Sequence, residues 1–183
     1  MQTDPVTTYL AFLRAVNLGA TRVFPKGDIA RVTAGVGFER VETHINTGNV
    51  RFDSRMRSRR KVESTLERAY AADRGFEVPV IVYSAAEFAA LAADTAALGA
   101  EHPGLARHYV YLLKDELDAE RIAAVHATAT DAGRMVVRGR AAHALLLPGY
   151  QDGKVDPLDA AKLLDVGTSR NANVIGSLAA KWC

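Results

Sequence analysis

Cysteine is almost absent from this chain: the only one is the last residue, Cys183. An internal disulfide is therefore excluded, and so is a metal site built from thiolates. An excess of charge of one sign is lacking too. The 23 basic and 21 acidic side chains leave a formal charge of +2, far from the strongly basic surface of a protein that tracks a phosphate backbone. Any preference for anions must be local. No apolar run approaches the roughly 20 residues needed to span a bilayer. The opening Met1-Gln2-Thr3-Asp4-Pro5 has no basic segment followed by an apolar one, so no secretory signal is expected. These absences together point to a reducing cytoplasm and no membrane. Catalytic signatures are missing as well. There is no Gly-x-Ser-x-Gly elbow, P-loop or dinucleotide fingerprint, and the stretch from Gly133 to Gly139 has the wrong composition for one. The five histidines, His44, His102, His108, His126 and His143, form no i, i+4 pair, so neither a metal site nor a cofactor is expected. Asp94, Asp115, Glu116 and Asp118 read as helix-end and loop charges rather than an acid/base pair.

What is present is a globular core: 49% of the 183 residues are hydrophobic, enough for one ordinary domain or two small ones. Residues 9–16 (YLAFLRAV) are too short and too continuously apolar for an amphipathic helix and predict a strand buried on both faces, with Arg14 its one charged intruder. Ile29, Val32 and Val36 recur at helical spacing over 27–36, before Gly37. Val41, Thr43 and Ile45 then alternate with polar residues, as do Val50 and Phe52 beyond the Thr47-Gly48-Asn49 turn, which is a hairpin pattern. A second helix carries Val62, Leu66, Ala69 and Tyr70 and stops at Gly75. The run at 78–82 is another strand.

The resulting βαββαβ order is that of a ferredoxin-like plait, in which one face of an antiparallel sheet carries both helices and the other needs cover. Ser84 and Glu87 form a capping box for a helix ending near Leu98. A His-Pro-Gly stretch without periodicity follows, so residues 1–98 are expected to form one domain, 99–107 a linker and 108–183 a second domain. The second half starts again with a strand at 108–113 and a helix through Ile122 and Val125 ending near Gly133. A hairpin across Gly139-Arg140 comes next. Asp156-Pro157 reads as a helix start and Gly167 as its end, with Thr168 or Ser169 opening a last helix. The fold class is thus α+β, two ferredoxin-like plait units with antiparallel sheets, the last strand of the second unit not identifiable. One continuous sheet is the alternative.

Leu13-Arg14-Ala15-Val16-Asn17-Leu18-Gly19, Gly37-Phe38 and the run from Thr43 to Phe52 (THINTGNVRF), followed by Thr168-Ser169-Arg170-Asn171, carry a likeness. They resemble the motifs of the domain of unknown function 1697 family, from Tyr9 to about Lys181. Ala172 and Ala20 depart from that family's aromatic and second loop glycine. The resemblance implies a plait-like α+β fold and no established activity.

The candidate residues follow from chemistry. A guanidinium at Arg14, at the end of a buried strand, needs a carboxylate, carbonyls or a ligand anion to offset desolvation. Glu42 and Asp53 are the candidate internal partners. Asn17, Asn46 and Asn49 carry donors and an acceptor each. They serve either as ordinary turn residues or, with Arg14, as the walls of a small-ligand site. Arg170 and Asn171 either fasten the last helix or join that site. Arg57, Arg59, Arg60 and Lys61 open the second helix against its dipole, which suits a bound anion as well as a solvated face. Tyr109 and Tyr111 share one side of a strand, as core or as a stacking platform. The leading expectation is a protein binding a small polar or anionic ligand. A nucleic-acid-binding protein using the Arg55 to Lys61 patch is one alternative, and a protein-interaction module pairing through sheet faces or edges is the other.

Overall fold

The computed structural model describes residues 5–150, 154 and 156–183; Met1 to Asp4 of the opening segment lie outside them. Two antiparallel four-stranded sheets are present, and the chain divides into two compact units, residues 1–89 with 181–183, and residues 90–180. The first unit runs β1 (Thr7–Leu13), α1 (Lys26–Gly35), β2 (Glu39–Thr43), β3 (Asn49–Ser54), α2 (Arg59–Arg74) and β4 (Val80–Ser84). Helix α3 (Ala85–Glu101) begins in this unit and continues into the second. That unit contains β5 (Arg107–Leu113), α4 (Ala119–His126), β6 (Gly133–Arg138), β7 (Ala141–Leu146), β8 (Gly167–Asn171) and most of α5 (Ala172–Trp182). The sheets have the same order, β2-β3-β1-β4 and β6-β7-β5-β8. This is the ferredoxin-like plait, formed twice.

In the first unit, alternate residues Tyr9, Ala11 and Leu13 of β1 face the helices and join Val50, Phe52, Val80 and Val82. They pack on Ile29 and Val32 of α1 and on Val62, Leu66 and Tyr70 of α2. The opposite face carries Leu10 and Phe12 with Ile81 and Tyr83, all buried. Phe88 of α3 covers it, its ring stacked 5.2 Å from Phe12. Farther across the same face, Trp182 Nε1 donates to Glu42 Oε2 at 3.1 Å. Phe88 and Trp182, both within the first unit, thus cover part of the face that the plait leaves open.

Three glutamates seal the outer edge of this sheet. β4 is an edge strand, and its Val80, Val82 and Ser84 amides donate to Glu67 (2.9 Å), Glu63 (3.2 Å) and Glu87 (2.7 Å). A strand edge with free amides invites another strand; here carboxylates occupy those amides. Glu87 does so as part of the capping box with Ser84.

Several details differ from the sequence expectation. β1 ends at Leu13, so Arg14 is not an intruder in a buried strand but an exposed residue beyond it. Ile45 does not continue β2; it is exposed, at φ +49°. In the second unit Asp156 starts no α-helix. Its carboxylate accepts from the amides of Ala160 and Ala161 ahead of one 3-10 turn at Ala161–Leu163. Thr168 to Asn171 form a strand rather than a helix start, and β8 is the strand the sequence pattern did not show. Helix α4 stops at His126, well before Gly133.

Candidate functional site

One polar cluster joins the β1–α1 loop to the β2–β3 hairpin. Asn17 is at its centre: its amide donates to the Phe24 carbonyl at 2.8 Å and the Asn46 carbonyl at 3.0 Å, while its Oδ1 accepts from the Phe24 amide at 2.7 Å. Asn46 Oδ1 in turn accepts from the Lys26 amide at 3.2 Å, at the start of α1. Asn49 turns the other way, donating to the His44 carbonyl at 3.1 Å and to Thr47 Oγ1 at 2.9 Å. Gly48 is required here. At φ +79° its backbone presses on β1, and a Cβ would stand 2.8 Å from Leu13 Cβ. Asn17 and Asn46 are therefore together, but the Asn17 side-chain amide and the Asn46 Oδ1 are bonded to protein and fasten two loops. Neither expected partner serves Arg14. Asp53 is buried and held by Arg40 and Arg51, and Glu42 receives the Trp182 indole.

The basic stretch at the start of α2 is likewise engaged. Ser58 caps the helix by accepting from the Lys61 amide, and Arg59 reaches the buried Glu63 at 2.9 Å. Lys61 is exposed.

A large hollow lies in the second unit. It has a volume of about 960 Å³ and opens between α3, the loop before β5, and the start of α5. Its polar lining includes His102, Arg107, His108, Asn171, Asn173 and Ser177, and no aspartate or glutamate occurs among the described residues that line it. The remaining walls are small: Ala92, Ala96 and Gly99 on α3 and Gly176 on α5 leave the space open. Asn171 is the last residue of β8, paired with Tyr109, and its Oδ1 accepts from the Asn173 amide at 2.9 Å, turning the chain into α5. Arg170 beside it is buried, opposite Val110, and bonds Thr168 Oγ1 (2.9 Å) and the Ser169 carbonyl (2.8 Å). Burial pulls its pKa down to about 10, which leaves it charged at neutral pH. Of the residues singled out in the sequence, Asn171 is the one that lines this hollow.

A histidine pair stands at its rim, and the sequence pattern gave no warning of it. His108 Nε2 and His143 Nδ1 are 3.1 Å apart, joining β5 to β7. His143 is completely buried, and its Nε2 has no hydrogen-bond partner among the described residues. Burial, then the nearby His108, then Arg138, lower its pKa from 6.5 to about 4. Burial also lowers that of His108. The one available signal was a histidine inside the otherwise apolar Ala141–Leu146 strand.

This pair makes a prediction. Folded protein keeps His143 neutral down to about pH 4, whereas an unfolded chain takes up the proton near 6.5. The unfolded state therefore binds more protons in that window, and stability is complete above it and falls as the pH drops through it. The loss from this group between pH 8 and pH 5 is on the order of 2 kcal/mol. Urea unfolding of wild type and His143→Gln at both pH values measures it: the variant should show a clearly smaller drop.

The family model described as "Protein of unknown function (DUF1697)" matches residues 6–143. Among solved structures, the chain is similar to the conserved bacterial protein SP0830 from Streptococcus pneumoniae. The TM-score is 0.72 at 21% identity, with 96% of this chain and 98% of that one covered. That likeness shows the fold alone. No curated protein matches.

Proposed function

The chain belongs to the DUF1697 family of proteins of unknown function, and from its own side chains we propose that the second unit binds a small anionic molecule in the hollow beside β5. One observation carries this reading: three nitrogen-rich side chains, His102, Arg107 and His108, line about 960 Å³ of space with no carboxylate among the described lining residues. A hollow of this size matches a metabolite-sized ligand. Arg107 supplies a permanent charge, and Asn171, Asn173 and Ser177 supply orienting donors. The start of α5 adds its positive dipole end. Beside a bound anion the imidazolium form of His108 gains a partner, which opposes the downward pull of burial on its pKa.

The test is thermal unfolding of the full chain with inorganic phosphate and with succinate. Ligand at about 100 times its Kd stabilises by about 2.7 kcal/mol, several degrees in Tm for a protein of this size. Arg107→Glu and Asn171→Asp should each remove the shift. A shift of equal size in both variants, or none in wild type with either anion, defeats the proposal.

A further inference from the structure

The knot at Asn17 holds its loops in an unfavourable backbone conformation while presenting apolar side chains to water. Ala15, Asn17, Arg22 and Ile45 all have left-handed φ angles, 56°, 56°, 54° and 49°. Asn tolerates that region; a β-branched residue there is strained. Ile45 combines the strain with exposure, at 42%. A polar Asn or a Gly would suit the position better on both counts, so folding alone does not account for isoleucine there. Strain of this kind concentrates where function requires it.

Two more exposed aliphatic side chains leave the same knot. Leu18 follows Asn17 and is 71% exposed; Val23 precedes Phe24, which is bonded twice to Asn17, and is 49% exposed. Ile45 precedes Asn46, the other partner of Asn17. The support beneath is firm. The Asn17 amide donates to the Arg22 carbonyl at 3.1 Å, Arg22 Nε donates to the Ala15 carbonyl at 2.8 Å, and the Leu13 amide donates to the Gly48 carbonyl at 2.8 Å. Such loops lose little freedom when something docks on them, which favours affinity.

Charge limits what that partner is. Residues 14–27 and 44–49 contain Arg14, Arg22 and Lys26 and no acidic residue. Arg14 and Lys26, in the same loops as the apolar side chains, are exposed. Phe24 is fully buried, the half-buried His44 ring stands edge-on to Trp182 at 6.2 Å, and the Arg22 guanidinium lies over the neighbouring Phe76 ring, so each ring at these loops already has a protein neighbour and a nucleobase is the less favoured occupant. We infer that the tip formed by Leu18, Val23 and Ile45 is a docking surface for a protein segment that carries aliphatic or aromatic side chains flanked by carboxylates. The apolar side chains supply the contact area and the cations set orientation and on-rate.

The experiment selects linear peptides from a phage-displayed library on the full chain and measures the recovered peptides by fluorescence polarisation. The expected consensus sets Asp or Glu beside a large apolar residue. Leu18→Asn and Ile45→Asn should each weaken binding at least tenfold, and Arg14→Glu should do so with a reduced salt dependence. Ile45→Asn should at the same time raise Tm by a few degrees, since it relieves the strained φ, so loss of binding there is not loss of fold. Peptides without the acidic-apolar pattern, or affinities unchanged in Leu18→Asn and Ile45→Asn, overturn the inference. Phosphatidylglycerol vesicles and a single-stranded oligonucleotide serve as competing probes. Binding to either that Ile45→Asn abolishes, without any peptide binding, assigns the surface to another partner and overturns it too.

Discussion

Gly133→Ala is expected to lower stability by roughly 3–5 kcal/mol, a loss of about 10 °C or more in Tm. Gly133 opens β6 at φ +140°, a backbone region that side chains rarely enter, and a Cβ built there lies 2.1 Å from the Leu145 carbonyl oxygen of β7. The obstacle is the backbone of β7, a strand paired on both sides, not the end of a flexible side chain. Relief therefore means displacing Leu145 and Leu146, which are buried and pair with both β5 and β6. Gly133 also exchanges two backbone hydrogen bonds with Thr130, at 2.9 and 3.1 Å, so its own strand end cannot easily shift. Gly139→Ala is the control. That glycine has φ +54° in the β6–β7 turn, but nothing lies within 4 Å of a Cβ there. It carries the strain without the collision, and a cost of about 1 kcal/mol is expected. Chemical denaturation of the two variants separates the terms. Equal losses would show that backbone conformation, not the carbonyl, governs Gly133.

The two glycines also mark how far the sequence could be read. Strand and helix identities in the first unit follow from local pattern. Ala11, Leu13, Val50 and Phe52 repeat at the strand period, and Val62, Leu66 and Tyr70 at the helix period, because each element buries one face on the same core. Ser84 and Glu87 are paired as their spacing requires. Position along the strand is a different matter. Arg14 belongs to an apolar run by composition, but β1 ends one residue earlier, where the partner strands end: Phe12 pairs with Asn49 and Leu13 with Val80. Ile45 fits the alternation of β2 and is turned outward by the knot at Asn17. β8 was hidden for a stronger reason. Thr168, Ser169, Arg170 and Asn171 have the composition of a helix cap, and they become a strand because β5, some 60 residues earlier in the chain, pairs with them. That partner is invisible to any local window. The candidate site suffered most from this. Asn171 was singled out beside Arg14 and Asn17, yet the polar company it keeps is His102, Arg107 and His108. The His108–His143 contact depends on β5–β7 register, which no spacing between single histidines discloses.

Glu63→Ala is expected to cost about 3 kcal/mol, because it removes two interactions of one buried carboxylate. Glu63 is 1% exposed; it holds the Arg59 guanidinium at 2.9 Å and receives the Val82 amide at 3.2 Å. Without it, both the hydrogen bond to the buried Val82 amide and the ion pair with the half-buried Arg59 are lost. Glu63→Gln keeps an acceptor for the amide and gives up only the charge, so it should recover part of the loss. Glu67→Ala, which frees the Val80 amide from a less buried carboxylate, should cost about 1 kcal/mol. Urea unfolding gives these differences, and a further readout tests what the glutamates do together. If they seal the β4 edge, Glu63→Ala combined with Glu67→Ala restores two strand-edge amides, and the double variant should self-associate with rising concentration in sedimentation velocity. Gly139→Ala, destabilised elsewhere, should remain unchanged in sedimentation. A double variant that loses stability and yet sediments like wild type at every concentration would assign the glutamates to packing alone and leave the edge closed by something else.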